Sequence, residues 1–233
     1  MELEPFVFRH EGILLGIRSA EATPEEETLL AEVNAFALRP LKAEEFVVFS
    51  LDLCHNQVDR HFSRFPEEEL EKVNALTPGR PLMERHDLRG SLPRGTFFRS
   101  RLCRADQRLS VRPDVYVLRT RDNEDFILNI EGGVYRETSI GFSFRLPECS
   151  ICGADLRTCA HVPGRTYGDT ECHFIMRDVL EVIEGSVVSS GSQGTGFVAQ
   201  TERRLPADRA LAAARQAFHR PLELWTKGLW AAE

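Results

Sequence analysis

The chain has 233 residues, 42% of them hydrophobic and 28% charged, enough to bury one main core of roughly 150 to 200 residues plus extensions. Its net charge of −7 leaves no basic excess to neutralise phosphates, which argues against a general nucleic-acid binder. No apolar run nears the roughly 20 residues that span a bilayer, and Met1-Glu2-Leu3-Glu4 lacks the basic start of a signal peptide, so a cytosolic protein without a membrane partner is expected.

Residues 1–44 read as an N-terminal extension. Ile13-Leu14-Leu15-Gly16-Ile17 suits an edge strand or docking piece, and Thr23-Pro24-Glu25-Glu26-Glu27 starts a helix, with Thr23 as N-cap and Pro24 at the first helical position. That helix is expected to reach about Leu38, before Pro40. A main β domain over 45–200 then begins with the β-branched and aromatic run Phe46 to Leu53. Cys54, His55 and His61 form a weak candidate for metal ligation, against the plainer expectation of solvated loop histidines. A second helix opens at Pro66-Glu67-Glu68-Glu69 and ends near Thr77-Pro78-Gly79.

A short apolar strand then ends on His86, a residue that taken alone is a surface histidine. Strands over 96–104 and 110–119 are expected to form a hairpin across Ala105-Asp106-Gln107. Asp122 is the expected N-cap of a helix whose apolar face is Phe126, Ile127 and Ile130, with Gly132 at its end. Gly133 leads on to Glu137-Thr138-Ser139-Ile140-Gly141-Phe142-Ser143-Phe144, an alternating apolar strand with a small hydroxyl at Ser139. A serine there is a candidate nucleophile, provided the chain also supplies a base and an orienting acid.

Three of the six cysteines crowd between 149 and 159, inside an insert spanning about 147–173. Cys149-Ser150-Ile151-Cys152-Gly153 is a knuckle spacing in which two thiolates grip one ion, and Cys159 with His161 completes a tetrahedral Cys3His set. Four protein ligands close the shell, so a structural zinc ion is expected. Cys172 and His173 are spare candidates for the fourth position. A metal-free redox pair leaves the third cysteine and the histidine without a purpose. Cys54 and Cys103 are expected to be buried small apolar residues. Residues 201–233 form a tail, with an amphipathic helix over 206–220 and then Trp225 and Trp230, which suit docking on the body or on a partner such as a dimer mate.

Met83-Glu84-Arg85-His86-Asp87, then Leu92-Pro93-Arg94-Gly95, then Ser139-Ile140-Gly141-Phe142 some fifty residues later, and then Leu180-Glu181-Val182-Ile183-Glu184-Gly185-Ser186-Val187-Val188 occur in one order. In that order they resemble the prohead (capsid-maturation) proteases of tailed phages, distant relatives of the herpesvirus assemblins. The resemblance covers about residues 45–200. It implies a mainly β (α+β) fold, a small assemblin-like barrel surrounded by helices, with Ser139 as nucleophile, His86 as general base and Glu184 as the orienting acid. Asp178, which simple strand alternation puts on the same face as Glu184, is the rival acid. Backbone N–H groups near Ile140-Gly141 are candidate oxyanion donors. The implied function is a serine endopeptidase that trims the scaffold segment of a major capsid protein, and itself, inside an assembling procapsid in the bacterial cytoplasm. Ser189 to Gly196 departs from the family, whose strand usually continues into a proline-alanine-asparagine stretch. Two other classes stand beside this one: an inactive capsid-assembly or scaffold protein that keeps the protease fold, and a zinc-dependent nucleic-acid module, which the acidic charge disfavours.

Overall fold

The computed structural model describes residues 24–198. The expected segment at 13–17, the Thr23 cap and the tail with its helix and tryptophans lie outside those residues. Thr28–Ala199 forms one compact unit. It is mainly β: a curled sheet with a few helices.

The strands are β1 (Phe46–Ser50), β2 (Cys54–His55), β3 (Ser63–Arg64), β4 (Pro81–Glu84), β5 (Gly95–Ala105), β6 (Arg108–Leu118), β7 (Glu137–Cys149), β8 (Thr166–Tyr167), β9 (Thr170–Glu171), β10 (Phe174–Val188) and β11 (Thr195–Gly196). Nine of them make the main sheet, in the order β1-β6-β5-β4-β10-β7-β11, with β2 on β6 and β3 on β10. The long antiparallel pairs are β5 with β6 and β7 with β10, while β4 runs parallel to β10. The β5–β6 hairpin matches the expected one, and Asp106, at φ +52°, makes its tight turn.

Among the described residues three α-helices accompany the sheet: α1 (Pro24–Asn34), α2 (Glu67–Leu76) and α3 (Glu124–Glu131). Helix α1 stops short of the expected Leu38. The Asn34 side chain turns back to accept from Leu41 N–H at 2.7 Å and to donate to the Leu41 carbonyl at 3.2 Å, which fixes a reversed chain after the last turn. Helix α2 follows expectation, with Pro66 at the N-cap. Helix α3 begins later than expected. Asp122 lies in a 3-10 turn and Asn123 occupies the cap position, where its amide instead donates to the carbonyls of Arg94 and Leu118.

Strands β1 and β6 are buried on both faces, with Phe49, Val115 and Val117 in one cluster and Phe46, Val48 and Tyr116 in another. One core cluster joins Phe49, Leu82, Phe97, Val115 and Val187 to the α3 face of Phe126, Ile127 and Ile130. A second joins Phe65, Leu70, Val73, Val111, Met176 and Val182, and Ile140 packs against both. Cys54 is fully buried as expected, whereas Cys103 is only half-buried, because it sits toward the hairpin end of β5.

Candidate functional site

The order β4-β10-β7 sets three stretches side by side. His86 follows the end of β4, Glu184 and Ser186 lie on β10, and Ser139 lies on β7. In the β7–β10 register Ser139 is opposite Ser186 and Gly141 is opposite Glu184. Directly opposed residues of an antiparallel pair have Cβ atoms about 4.5 to 5.5 Å apart on one face. Positions 184 and 186 also share a face, so the acid, both serines and the approaching histidine face the same side.

His86 Nδ1 lies 2.5 Å from Glu184 Oε1. A carboxylate accepting at this distance puts the hydrogen on Nδ1 and leaves Nε2 free to act as a base. The second carboxylate oxygen accepts from Ser186 Oγ–H at 2.6 Å, and Ser186 Oγ in turn accepts from the His86 backbone N–H at 3.0 Å. Glu184 is 1% exposed, so both of its oxygens have a partner in a place where an unpaired charge would be costly. The bond to Glu184, reinforced by its charge and opposed by partial burial, raises the His86 pKa above its ordinary value.

His86 does not end the strand, as the sequence pattern suggests; β4 stops at Glu84. Arg85 and His86 both take left-handed backbone, with φ of +56° and +57°. Side chains at such positions cost energy and persist where the surroundings over-determine them. Here Arg85 N–H bonds the Val187 carbonyl at 2.9 Å and His86 N–H bonds Ser186, and that pair of bonds holds the turn.

Gly141 has a specific reason to be glycine. A Cβ at this position would overlap Glu184 Oε1, so the space beside β7 belongs to the acid rather than to an approaching substrate backbone. Asp178, the rival acid, is elsewhere. It sits at φ +59°, just before the first register shift of β10, and pairs with Arg145 at 2.9 Å on the surface. The two shifts, Val179/Glu181 and Val182/Glu184, cancel in parity, so Asp178 keeps the face of Glu184 but lies further along β10 on the surface, away from His86.

Ser139 is half-buried, and among the described residues its hydroxyl makes no hydrogen bond, in contrast to Ser186. It lines a cavity of about 240 Å³. The loop over 189–196 forms part of the wall and is tied down in several places. Gln193 accepts from His55 N–H at 3.0 Å and donates to the His55 carbonyl at 3.2 Å, and the Gln193 carbonyl meets the His55 ring at 2.9 Å. Arg60 donates to Ser190 and to the Gly191 carbonyl, and Glu137 accepts from Gly191 N–H. His55 is therefore a buried anchor, neither a metal ligand nor a solvated loop residue, and burial lowers its pKa. Gln193 and Arg60 carry no local sequence signal, because their partners lie 130 or more positions away.

At the other end of the β7–β10 ladder, the ligand atoms of Cys149, Cys152, Cys159 and His161 lie within 4.8 Å of one another. The knuckle is closed by Gly153 N–H to the Cys149 carbonyl at 2.9 Å and Cys149 N–H to the Ala154 carbonyl at 2.8 Å, with Gly153 at φ +72°. Burial opposes ionisation of Cys149, but the N–H groups of Cys152 and Ile151 and the neighbouring thiols outweigh it and bring the thiol down to about 6. His161 Nδ1 is buried with no hydrogen-bond partner, as a nitrogen awaiting an ion would be. These residues fit one metal ion. Cys172 is buried against Cys149 as a further thiol. His173 is not part of the group; its Nδ1 approaches the Glu171 carbonyl at 3.4 Å. All six cysteines are free thiols.

No family model, curated protein or solved structure matches the chain. Among the described residues no helix is long and apolar enough to cross a membrane.

Proposed function

We propose that the protein is a serine endopeptidase of phage capsid maturation, with Ser139 as nucleophile, His86 as general base and Glu184 as the acid that orients it. The carrying observation is the 2.5 Å bond from His86 Nδ1 to Glu184, beside a strand that presents an unbonded Ser139 directly across from Ser186. His86 Nε2 takes the Ser139 proton as Oγ bonds to the substrate carbonyl carbon. The protonated imidazole then gives that proton to the leaving amine as the C–N bond breaks. Water, deprotonated by the same nitrogen, releases the acyl group. Between these steps the buried carboxylate fixes the tautomer and stabilises the imidazolium.

The substrate implied by the resemblance is the scaffold segment of a major capsid protein, with self-cleavage and a homodimer as further parts of the same proposal. The place of action is the assembling procapsid in the bacterial cytoplasm, and the fold is the assemblin-like barrel. A zinc ion on Cys149, Cys152, Cys159 and His161 acts structurally: four protein ligands close its shell, and it clamps a polar insert that could not bury a core unaided. The competing reading is an inactive protease-fold assembly protein. Its supporting observation is that Ser139 makes no hydrogen bond with His86 among the described residues. A fluorophosphonate probe decides between them. Labelling at Ser139, together with cleavage of a co-expressed capsid protein, supports the peptidase, and no labelling with intact capsid protein supports the assembly protein.

A further inference from the structure

We propose that the cavity beside Ser139 is a specificity subsite for one large apolar side chain of the substrate, close to the scissile bond. The inference rests on the peptidase reading and adds the class of peptide cleaved. Leu53, Phe65 and Met176, all nearly inaccessible, form the floor, and the half-buried Ile140, Phe142 and Phe174 form the walls. The rings are locked in place, with Phe65 and Phe142 centroids at 4.8 Å, Phe142 and Phe144 at 5.7 Å and Phe144 and Phe174 at 6.5 Å.

Polar groups in the lining are largely engaged within the protein. Asp59 accepts from the N–H groups of His61 and Ser63 at 2.9 and 2.8 Å. Thr138 Oγ–H donates to the Asp52 carbonyl, Thr195 Oγ–H to the Thr138 carbonyl, and Gln193 is bound to His55. An anionic substrate side chain entering this space would lose water beside the Asp59 carboxylate, whereas an aliphatic or aromatic one would bury apolar area against an existing wall. The adjoining cavity of about 520 Å³ shares Asp59, Ser192 and Gln193 with it but adds Arg60 and Glu137 in place of the aromatic wall, so the groove becomes more polar away from Phe142 and Phe174.

Digestion of a proteome-derived peptide library by the full-length protein, with cleavage sites read by mass spectrometry, tests the inference. Leu, Ile, Met or Phe should dominate one position within about two residues of the scissile bond. Two variants then move that preference in opposite directions. Phe174→Ala widens the wall and should favour Trp and Tyr. Met176→Phe fills the floor and should reduce the preference for Leu over Ala by about 10-fold in kcat/KM, the scale of a methylene-sized mismatch. Should Met176→Phe fail to fold, the wild-type profile and Phe174→Ala still decide. Fluorophosphonate labelling of Ser139 with no apolar preference, or with a preference unmoved by Phe174→Ala, overturns the subsite and leaves the peptidase standing. Absence of both labelling and cleavage overturns both.

Discussion

His86 and Glu184 are 98 positions apart in the chain, yet Nδ1 of one lies 2.5 Å from Oε1 of the other. The carboxylate raises the imidazole pKa, and a general base must be neutral to accept a proton. The acidic limb of kcat/KM should therefore lie above the ordinary histidine value of about 6.5. Glu184→Gln should lower that limb and reduce kcat by about 10⁴-fold, the scale seen when a triad acid loses its charge. The same contact bears on folding. A raised folded-state pKa contributes stability that is fully present below about pH 6.5 and is lost as pH rises through the folded value. Urea melts at several pH values should show Glu184→Gln closing on the wild type as pH increases.

Ser139 and Ser186 should respond differently to alanine. Ser139 has no hydrogen-bond partner among the described residues, so Ser139→Ala should keep the wild-type melting temperature and lose activity by about 10⁴-fold or more. Ser186→Ala removes the donor to Glu184 and the acceptor for His86 N–H in a fully buried place, and should destabilise by about 1–3 kcal/mol while only weakening activity. Paired thermal melts and cleavage assays on the two variants separate these outcomes, and a dead, stable Ser186→Ala beside an active Ser139→Ala would reverse the assignment.

Gly141→Ala introduces a methyl group where Glu184 Oε1 sits. The carboxylate must shift, so His86 loses its partner while Gly141 keeps its place in the β7–β10 ladder. Activity should fall to the level of Glu184→Gln, and a histidine titration followed by NMR should find the His86 pKa moved down toward the ordinary value.

The cysteine cluster should take up one zinc ion per chain by elemental analysis. Cobalt substitution should give the thiolate charge-transfer absorption expected of three sulfur ligands, and Cys149→Ser should abolish it. Cys149 pairs with Phe174 in the strand register, and Phe174 is a wall of the cavity beside Ser139. Chelation should therefore make the 150–173 insert proteolytically sensitive and raise KM more than it lowers kcat.

Features whose cause is local were legible from residue order. The β5–β6 hairpin, helix α2 and the Cys149-x-x-Cys152-Gly153 knuckle each depend on neighbours a few residues apart, and each lies where the pattern puts it. Helix ends were less legible: α1 terminates early because Asn34 reaches Leu41, and α3 starts late because the Asn123 amide serves Arg94 and Leu118. Strand alternation alone left Asp178 as the rival of Glu184, and what separates them is place along β10: Asp178 pairs with Arg145 on the surface, whereas Glu184 is buried against His86.

Sequence alone thus determined a mainly β chain with one candidate metal cluster, because short spacings and apolar periods act through adjacent residues, and the resemblance of its motifs named Ser139, His86 and Glu184 as candidates. Tertiary structure decided which acid meets His86, that Ser186 completes the bonding of that acid, why residue 141 is glycine, and that Gln193 and Arg60 fix the loop beside Ser139. Those relationships depend on strand register, bulges and left-handed turns, which are set by packing across the sheet between residues about 40 to 140 positions apart.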